Sequence, residues 1–432
     1  MITIPFIYFL GLTIYWWNKH HGVDICVYMS ALYAFTALMC IIVVANDMLE
    51  SSGILYDRYD LNISLIPTFI YCVGITLCLW PFSMLYKKDL KKIKASNPKI
   101  IYMFSWFLIG LSWLNLYLVA DSTLDILSGD LSLIRNEHYM GFDSPAQLKA
   151  QSMPFIFGFL YYFNSATILA LPLFFYYICF EHRQWWFTLL LFFASLSMPI
   201  VGIQTVDRTE MIFYAMMFIS CLILFHQFLS ETLRWMMRIM MIPLSVLALV
   251  YLVAVTDARF SNDDDDGAKI GAIQYSGQNV LNFNYFWEHA NWNKLAPERE
   301  FPMLYHYVYH IDNDDIRRDI RSGQQGFFMS VFASFIGDIM LDLSPLGMLI
   351  WITLFFLISV LIMRYPHREE LSVGEYLLFF ALSVIPIFGI FYYRYMAFVH
   401  TFMWIAIVVI YITERYDIQY GTIRDNESQY EE

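Results

Sequence analysis

This chain is constrained above all by a succession of apolar stretches, each near the length of one membrane crossing. A hydrocarbon core about 30 Å thick takes about 20 residues of helix to span. Eleven stretches meet that requirement: 2–17, 25–45, 63–86, 100–120, 154–180, 186–205, 209–230, 239–256, 345–363, 373–392 and 396–413. In lipid every backbone N–H and C=O has to be satisfied within the protein, which favours helices for such spans. Only 15% of the residues are charged, against about a quarter in soluble domains. The expectation is an all-α polytopic membrane protein with about 11 transmembrane helices, in a range of 10–12. The stretch 2–17 has no basic region before it and no small-residue cleavage site after it, so it is expected to be a span rather than a cleaved leader.

Lysine and arginine set the expected orientation. The connection YKKDLKKIKASNPK, at 86–99, holds six lysines. Placing it in the cytoplasm gives the inner connections fourteen basic residues and the short outer ones five. Long loops are left out of that count because they translocate largely regardless of charge. The N-terminus is then outside and the C-terminus inside. The organisation that follows is transmembrane helices 1–8 over 1–256, with an outer loop at 121–153. A large outer loop ending in a surface or re-entrant helix then occupies 257–344. Helices 9–11 lie in 345–414, and an acidic tail fills 415–432. The net charge of −12 and its location in loops and tail argue against nucleic acid as a partner. The six cysteines all fall in apolar stretches, with no zinc spacing and no disulfide framework.

Chemistry is expected on the outer face, where arginines gather. Arg135 lies in LSLIRNEHY and Arg208 in QTVDRTEM. Arg317, Arg318 and Arg321 lie in DDIRRDIRSG, and Arg394 lies at the outer end of a span. Guanidinium offers a planar fork of donors that matches phosphate and stays charged when partly desolvated. On a helix Arg317 and Arg321 share a face. The pair Asp207–Arg208 sits at the membrane edge, where charge is costly. Candidate bases are His138, His289, His306, His310, Asp207, Asp338 and Glu288. His306 and His310 have a spacing that also suits a metal, but no third ligand is set by spacing, and no metal is expected. The run Asp263–Asp266 reads as a solvated acidic hinge. Tyr275 and other aromatics of the large loop, interleaved with Gln278, Asn279, Asn282 and Asn284, would suit sugar rings. The alternative for these aromatics is anchoring at the lipid interface.

Three places carry a resemblance to a known family: LSLIRNEHY, then VDRTEMIFYAMMFISCLIL, then YSGQNVLNFN together with GFFMSVFASFIGDIMLDLSPLGMLI. They resemble the bacterial O-antigen and oligosaccharide repeat-unit polymerases of the Wzy type. That family often has two adjacent glycines where this chain has Ser276–Gly277. The resemblance implies a GT-C-like fold in the bacterial inner membrane, with the large loop between helices 8 and 9 in the periplasm. It implies a metal-independent glycosyltransferase that needs no cofactor and joins undecaprenyl-pyrophosphate-linked oligosaccharide repeat units. It also implies the lipid bilayer as partner, with a chain-length regulator as a further one. On that reading the arginines stabilise the leaving pyrophosphate, and Asp207, His306, His310 or Asp338 takes the acceptor proton. Arg208 would join them in catalysis, while Arg135, Tyr275, Gln278, Arg317, Arg318, Arg321 and Arg394 bind substrate. Two alternatives stay open: an O-antigen ligase of the related fold, and a flippase or transporter. A transporter is expected to carry ionisable groups along a path at mid-membrane depth, whereas these charges cluster at span ends and in loops.

Overall fold

The structure is a computed structural model that describes residues 1–46, 63–84, 90–128, 149, 152–161, 163–181, 184–204, 208–239, 273–292, 308, 331–364, 370–396 and 399–430. Among them, six helices are long and apolar enough to cross a membrane: Ile25–Ala45, Leu65–Met84, Pro98–Ala120, Asn164–Glu181, Trp185–Ile203 and Ser334–Met363. Thr209–Phe225 and Val373–Phe388 are apolar but shorter. The chain divides into two compact units that do not follow sequence order. One comprises Met1–Lys87, Phe260–Tyr365 and Leu382–Phe398; the other comprises Lys88–Arg259, Pro366–Ala381 and Val399–Glu432.

In the first unit, α1 (Thr3–His20) and α2 (Ile25–Ala45) form a helical hairpin. α1 stops where His21 enters the left-handed region (φ 53°) and its N–H returns to the Trp17 carbonyl. Asp24 starts α2, its Oδ1 accepting from the Cys26 N–H at 2.7 Å. Its other oxygen lies 3.0 Å from His20 Nδ1, so two buried polar side chains meet at the turn. α3 (Leu65–Leu79) continues as a 3₁₀ turn, Trp80–Met84. Lipid is as apolar as leucine, so these helices are held by packing and interhelical hydrogen bonds rather than by the hydrophobic effect. The Thr13 hydroxyl donates to Ser30 at 2.9 Å, and Tyr8 bonds Thr76 at 3.0 Å. Phe9, Tyr33 and Tyr71 of these helices are fully buried and meet ring to ring, and Tyr71 also meets buried Phe283 from later in the chain.

α10 (Asn279–His289) packs against α2, α3 and the later helix that begins at Ser334. Gly277, just before it, lies so close to α2 that an added Cβ would stand 2.6 Å from the Met39 carbonyl carbon. That approach is why the glycine of the Ser276–Gly277 pair is needed there. α11 (Ser334–Arg364) is two helices joined at Ser344, whose φ of 72° and ψ of 168° are not helical. Pro345 explains the joint: proline disfavours helical geometry in the residue before it and fits the first position of a new helix. Ser344 Oγ accepts from the Gly347 N–H at 3.3 Å and starts the second half. The first half overlaps the piece expected at the membrane surface, 328–343; it is helical from Ser334, and Ser334–Leu341 is buried.

In the second unit, Asn97 and Pro98 begin α4 (Pro98–Ser128), Asn97 Oδ1 accepting from the Ile100 N–H. α4 runs eight residues past the expected span end at 120, since a helix satisfies its own backbone and need not stop at the lipid boundary. The span expected at 154–180 is broken into α5 (Phe155–Tyr161), a 3₁₀ turn over Asn164–Leu169, α6 (Ala170–Tyr176) and a π turn over Tyr177–Glu181. Asn164 at the break bonds Asn115 of α4. α7 (Trp185–Ser195), α8 (Ser197–Gln204) and α9 (Thr209–Phe225) follow.

One short two-stranded sheet accompanies the helices. β1 (Lys92–Lys94) pairs in parallel with β2 (Glu370–Ser372), Ile93 opposite Leu371. Alternation explains it: Ile93 is buried between two exposed lysines. α12 (Val373–Phe388) starts from β2 with a reciprocal cap, in which Ser372 Oγ accepts from the Glu375 N–H and Glu375 Oε2 from the Ser372 N–H. α13 (Val399–Tyr430) contributes buried Glu414, whose two oxygens accept from the Ser96 and Asn97 N–H groups at 2.9 Å each. The expected span 239–256 lies outside the described residues apart from Ile239.

Candidate functional site

The first unit brings buried charge together around one turn, Gly389–Arg394. Helix α12 ends at Phe388, and the chain leaves helical geometry there. The first backbone N–H groups of any helix lack partners within it. Those of α11 find theirs in this turn: Ser334 N–H donates to the Phe391 carbonyl at 3.1 Å and Phe335 N–H to Gly389 at 2.9 Å. The Asn279 amide of α10 donates to the Ile390 carbonyl. Asp338, 2% exposed, accepts the Tyr393 N–H at 2.8 Å through Oδ2. A segment with no regular ladder of its own is thus fastened by two helices. Gly389 allows the approach, because a Cβ there would stand 2.5 Å from Phe335 Cδ1.

Arg394 ends the turn and is 8% exposed. Its guanidinium lies over the Phe388 ring, 5.6 Å from the centroid, and Nη1 donates to the Tyr392 hydroxyl at 3.3 Å. Tyr392 stacks on Phe332 (6.0 Å between centroids), and Phe332 meets Tyr275 at 5.4 Å. Burial pushes the Tyr395 phenol well above its ordinary range although Arg394 beside it pulls the other way, so that side chain stays neutral. Asp342, one helical turn beyond Asp338, is fully buried. Burying charges costs several kcal/mol for each ion unless geometry and hydrogen bonds offset it. A cluster of this kind is therefore a marked place in an apolar protein.

Among the described residues, four of the expected catalytic and substrate-binding residues fall in one unit: Tyr275, Gln278, Asp338 and Arg394. Gln278 is buried and accepts from the Asn282 amide at 3.3 Å. The other amides of that stretch donate to backbone carbonyls. Asn282 donates to the Phe332 carbonyl at 2.7 Å, and Asn284 donates to Val280 at 2.9 Å. Asn279 and Asn282 thus fasten α10 to the segments that carry Ile390 and Phe332. His289 and Glu288 are exposed; His289 lies against Tyr285, and Glu288 accepts from Ser64. Arg208 belongs to the second unit, half-buried at the N-terminus of α9, where its carbonyl accepts from the Ile212 N–H at 3.1 Å. A cation there opposes the helix dipole, and Glu210 in the first turn is of the compensating sign. Asp207, Arg135, His138, His306, His310, Arg317, Arg318 and Arg321 lie outside the described residues, as does Asp263–Asp266.

Sequence reasoning missed Tyr393 as the donor to Asp338. No residue type announces a backbone N–H, so no signal was available. It also missed Phe332 and Tyr392, whose aromatic character is ordinary in a membrane chain. Among the described residues no group of three or more His, Cys, Asp or Glu is placed to hold a metal. What the arrangement offers chemically is a fixed, largely desolvated cation beside aromatic faces.

Fold and composition define the class: a helical membrane protein. No family model, curated protein or solved structure matches the chain.

Proposed function

We propose that the protein is a membrane glycosyltransferase that joins undecaprenyl-pyrophosphate-linked oligosaccharide repeat units into O-antigen or capsular polysaccharide. The finer architecture belongs to the same proposal: eleven spans, a GT-C-like fold, the inner membrane, the N-terminus in the periplasm and the C-terminus in the cytoplasm. The observation that carries it is Arg394, a buried guanidinium on a hydrogen-bonded turn with aromatic rings around it. The resemblance of three stretches to repeat-unit polymerases adds the substrate class.

In the proposed reaction, an acceptor sugar hydroxyl attacks the anomeric carbon of the growing chain. The new C–O bond forms as the bond from that carbon to the pyrophosphate oxygen breaks, and the hydroxyl proton passes to a general base. Negative charge grows on the leaving pyrophosphate. Arginines that already stand in place stabilise that charge without solvent reorganisation. Arg394 is one such group in this reading, and Arg208 is proposed from its sequence context alone. Aromatic faces near Arg394 suit the apolar faces of sugar rings.

The test is the lipid-linked glycan profile of a knockout complemented with variants. The knockout is expected to accumulate a single repeat unit on lipid, with no ladder. Arg208→Ala and Arg394→Ala are each expected to lower chain extension by about 100-fold or more, at unchanged protein level, as for loss of a donor to developing charge. A normal ladder from either variant removes that arginine from the site. Failure of lipid-linked units to reach the periplasm in the knockout sinks the polymerase reading in favour of a transporter.

A further inference from the structure

Asp338 is one of four candidate bases, with Asp207, His306 and His310, and its surroundings suit another task. It is 2% exposed, and Oδ2 already accepts the Tyr393 N–H at 2.8 Å. A base must reach the acceptor hydroxyl directly or through one water. Tyr393 immediately precedes Arg394, so the bond fixes the backbone from which the guanidinium projects. Ser334, one turn before Asp338 on α11, and Phe335 hold the other end of the same turn by their N–H groups. Three groups from one helix end thus bind Gly389, Phe391 and Tyr393, at alternate positions. Arg394 has a long side chain with many rotamers, so where it stands depends on how firmly its backbone is held. Phe388 and Tyr392 then restrict the side chain itself.

We infer that Asp338 is a positioning residue: its carboxylate fixes the Gly389–Arg394 turn through the Tyr393 N–H and thereby sets the place of the Arg394 guanidinium. This rests on the proposed function for the role of Arg394, though not for the fixing of the turn. An acceptor oxygen is all that the contact requires. Asparagine keeps that oxygen and cannot serve as a base, whereas alanine removes it.

The experiment compares Asp338→Asn, Asp338→Ala, Arg394→Ala and the Asp338→Ala/Arg394→Ala double variant in nanodiscs. Three readouts are taken: ladder formation, binding of undecaprenyl pyrophosphate, and hydrogen exchange of the peptide carrying the Tyr393 amide. A neutral acceptor is weaker than a charged one by about half, so Asp338→Asn is expected within about fivefold of wild type in ladder rate and affinity. Asp338→Ala loses a hydrogen bond to a charged group, and about tenfold or more in both is expected. The double variant is expected to bind no more weakly than Arg394→Ala alone, since both changes act through one group. Tyr393 exchange is expected to speed up in Asp338→Ala and to stay near wild type in Asp338→Asn.

A ladder lost in Asp338→Asn with undecaprenyl pyrophosphate binding intact makes Asp338 a base and overturns the inference. Unchanged Tyr393 exchange in Asp338→Ala overturns it as well. If Asp338→Ala does not accumulate, Asp338→Asn still separates base from positioning residue. Wild-type protein that neither extends chains nor binds undecaprenyl pyrophosphate defeats the polymerase reading instead, and the exchange comparison then decides by itself whether Asp338 holds the turn.

Discussion

Two glycines show how single atoms decide this fold. Gly389 meets the Phe335 ring and Gly277 the backbone of α2, both closer than a Cβ tolerates. Overpacking in a close-packed interior costs about 1–3 kcal/mol. Gly389→Ala is therefore expected to lower the midpoint of thermal unfolding in detergent and to reduce chain extension as well, because it disturbs the turn that carries Arg394. A variant with both properties of wild type would show that α11 and the turn can separate without consequence. Asp338 and Arg394 were legible as charges in apolar surroundings. What they do was not, because the partner of Asp338 is a backbone N–H and the neighbours of Arg394 are rings drawn from α12 and its following turn. The amides of α10 make the complementary case. Their composition suits sugars, but Asn279 and Asn282 donate to carbonyls of chain segments 111 and 50 residues away.

Among the elements, α11 is the one in which local chemistry speaks most directly. Ser344 occupies a backbone region that is almost exclusive to glycine, at a cost of about 1–3 kcal/mol. Its hydroxyl also caps the second half of the helix, a contact that glycine replaces at a loss of only a few tenths. Ser344→Gly is expected to stabilise the protein by about 1 kcal/mol, the difference of these terms. Ser344→Val is expected to destabilise it, and both are read as shifts in thermal midpoint. Equal midpoints for the two would mean that the joint is not strained. The span beginning at 345 was visible in the sequence as an apolar stretch near crossing length. That the preceding helix is buried over Ser334–Asp342 followed from nothing local, since its apolar residues suit a protein interior and a membrane surface alike.

For the whole molecule, the expected outcome that matters is orientation. The Lys-rich connection contains β1, and Lys92 and Lys94 are exposed. Single cysteines placed at Lys92 or within 257–330, in a background freed of the six native cysteines, are to be treated with a membrane-impermeant maleimide on intact cells. Position 92 is expected to stay unlabelled until the cells are broken, while the large loop reacts from outside. The opposite pattern would invert the proposed topology and put the chemistry on the cytoplasmic face.

By itself the sequence determined that this is a helical membrane protein, because apolar stretches of span length leave the backbone few other ways to satisfy its polar groups. It also marked its own punctuation, as at Asn97–Pro98 and Ser344–Pro345. Tertiary structure alone decided which segments share a unit, that β1 meets β2 across 278 positions of chain (Lys92 to Glu370), and that α10 and α11 fasten the turn before Arg394. The physical reason lies in the kind of bond involved. Periodicity and capping are short-range and written in side-chain types, whereas these junctions are made by backbone carbonyls and N–H groups that every residue carries.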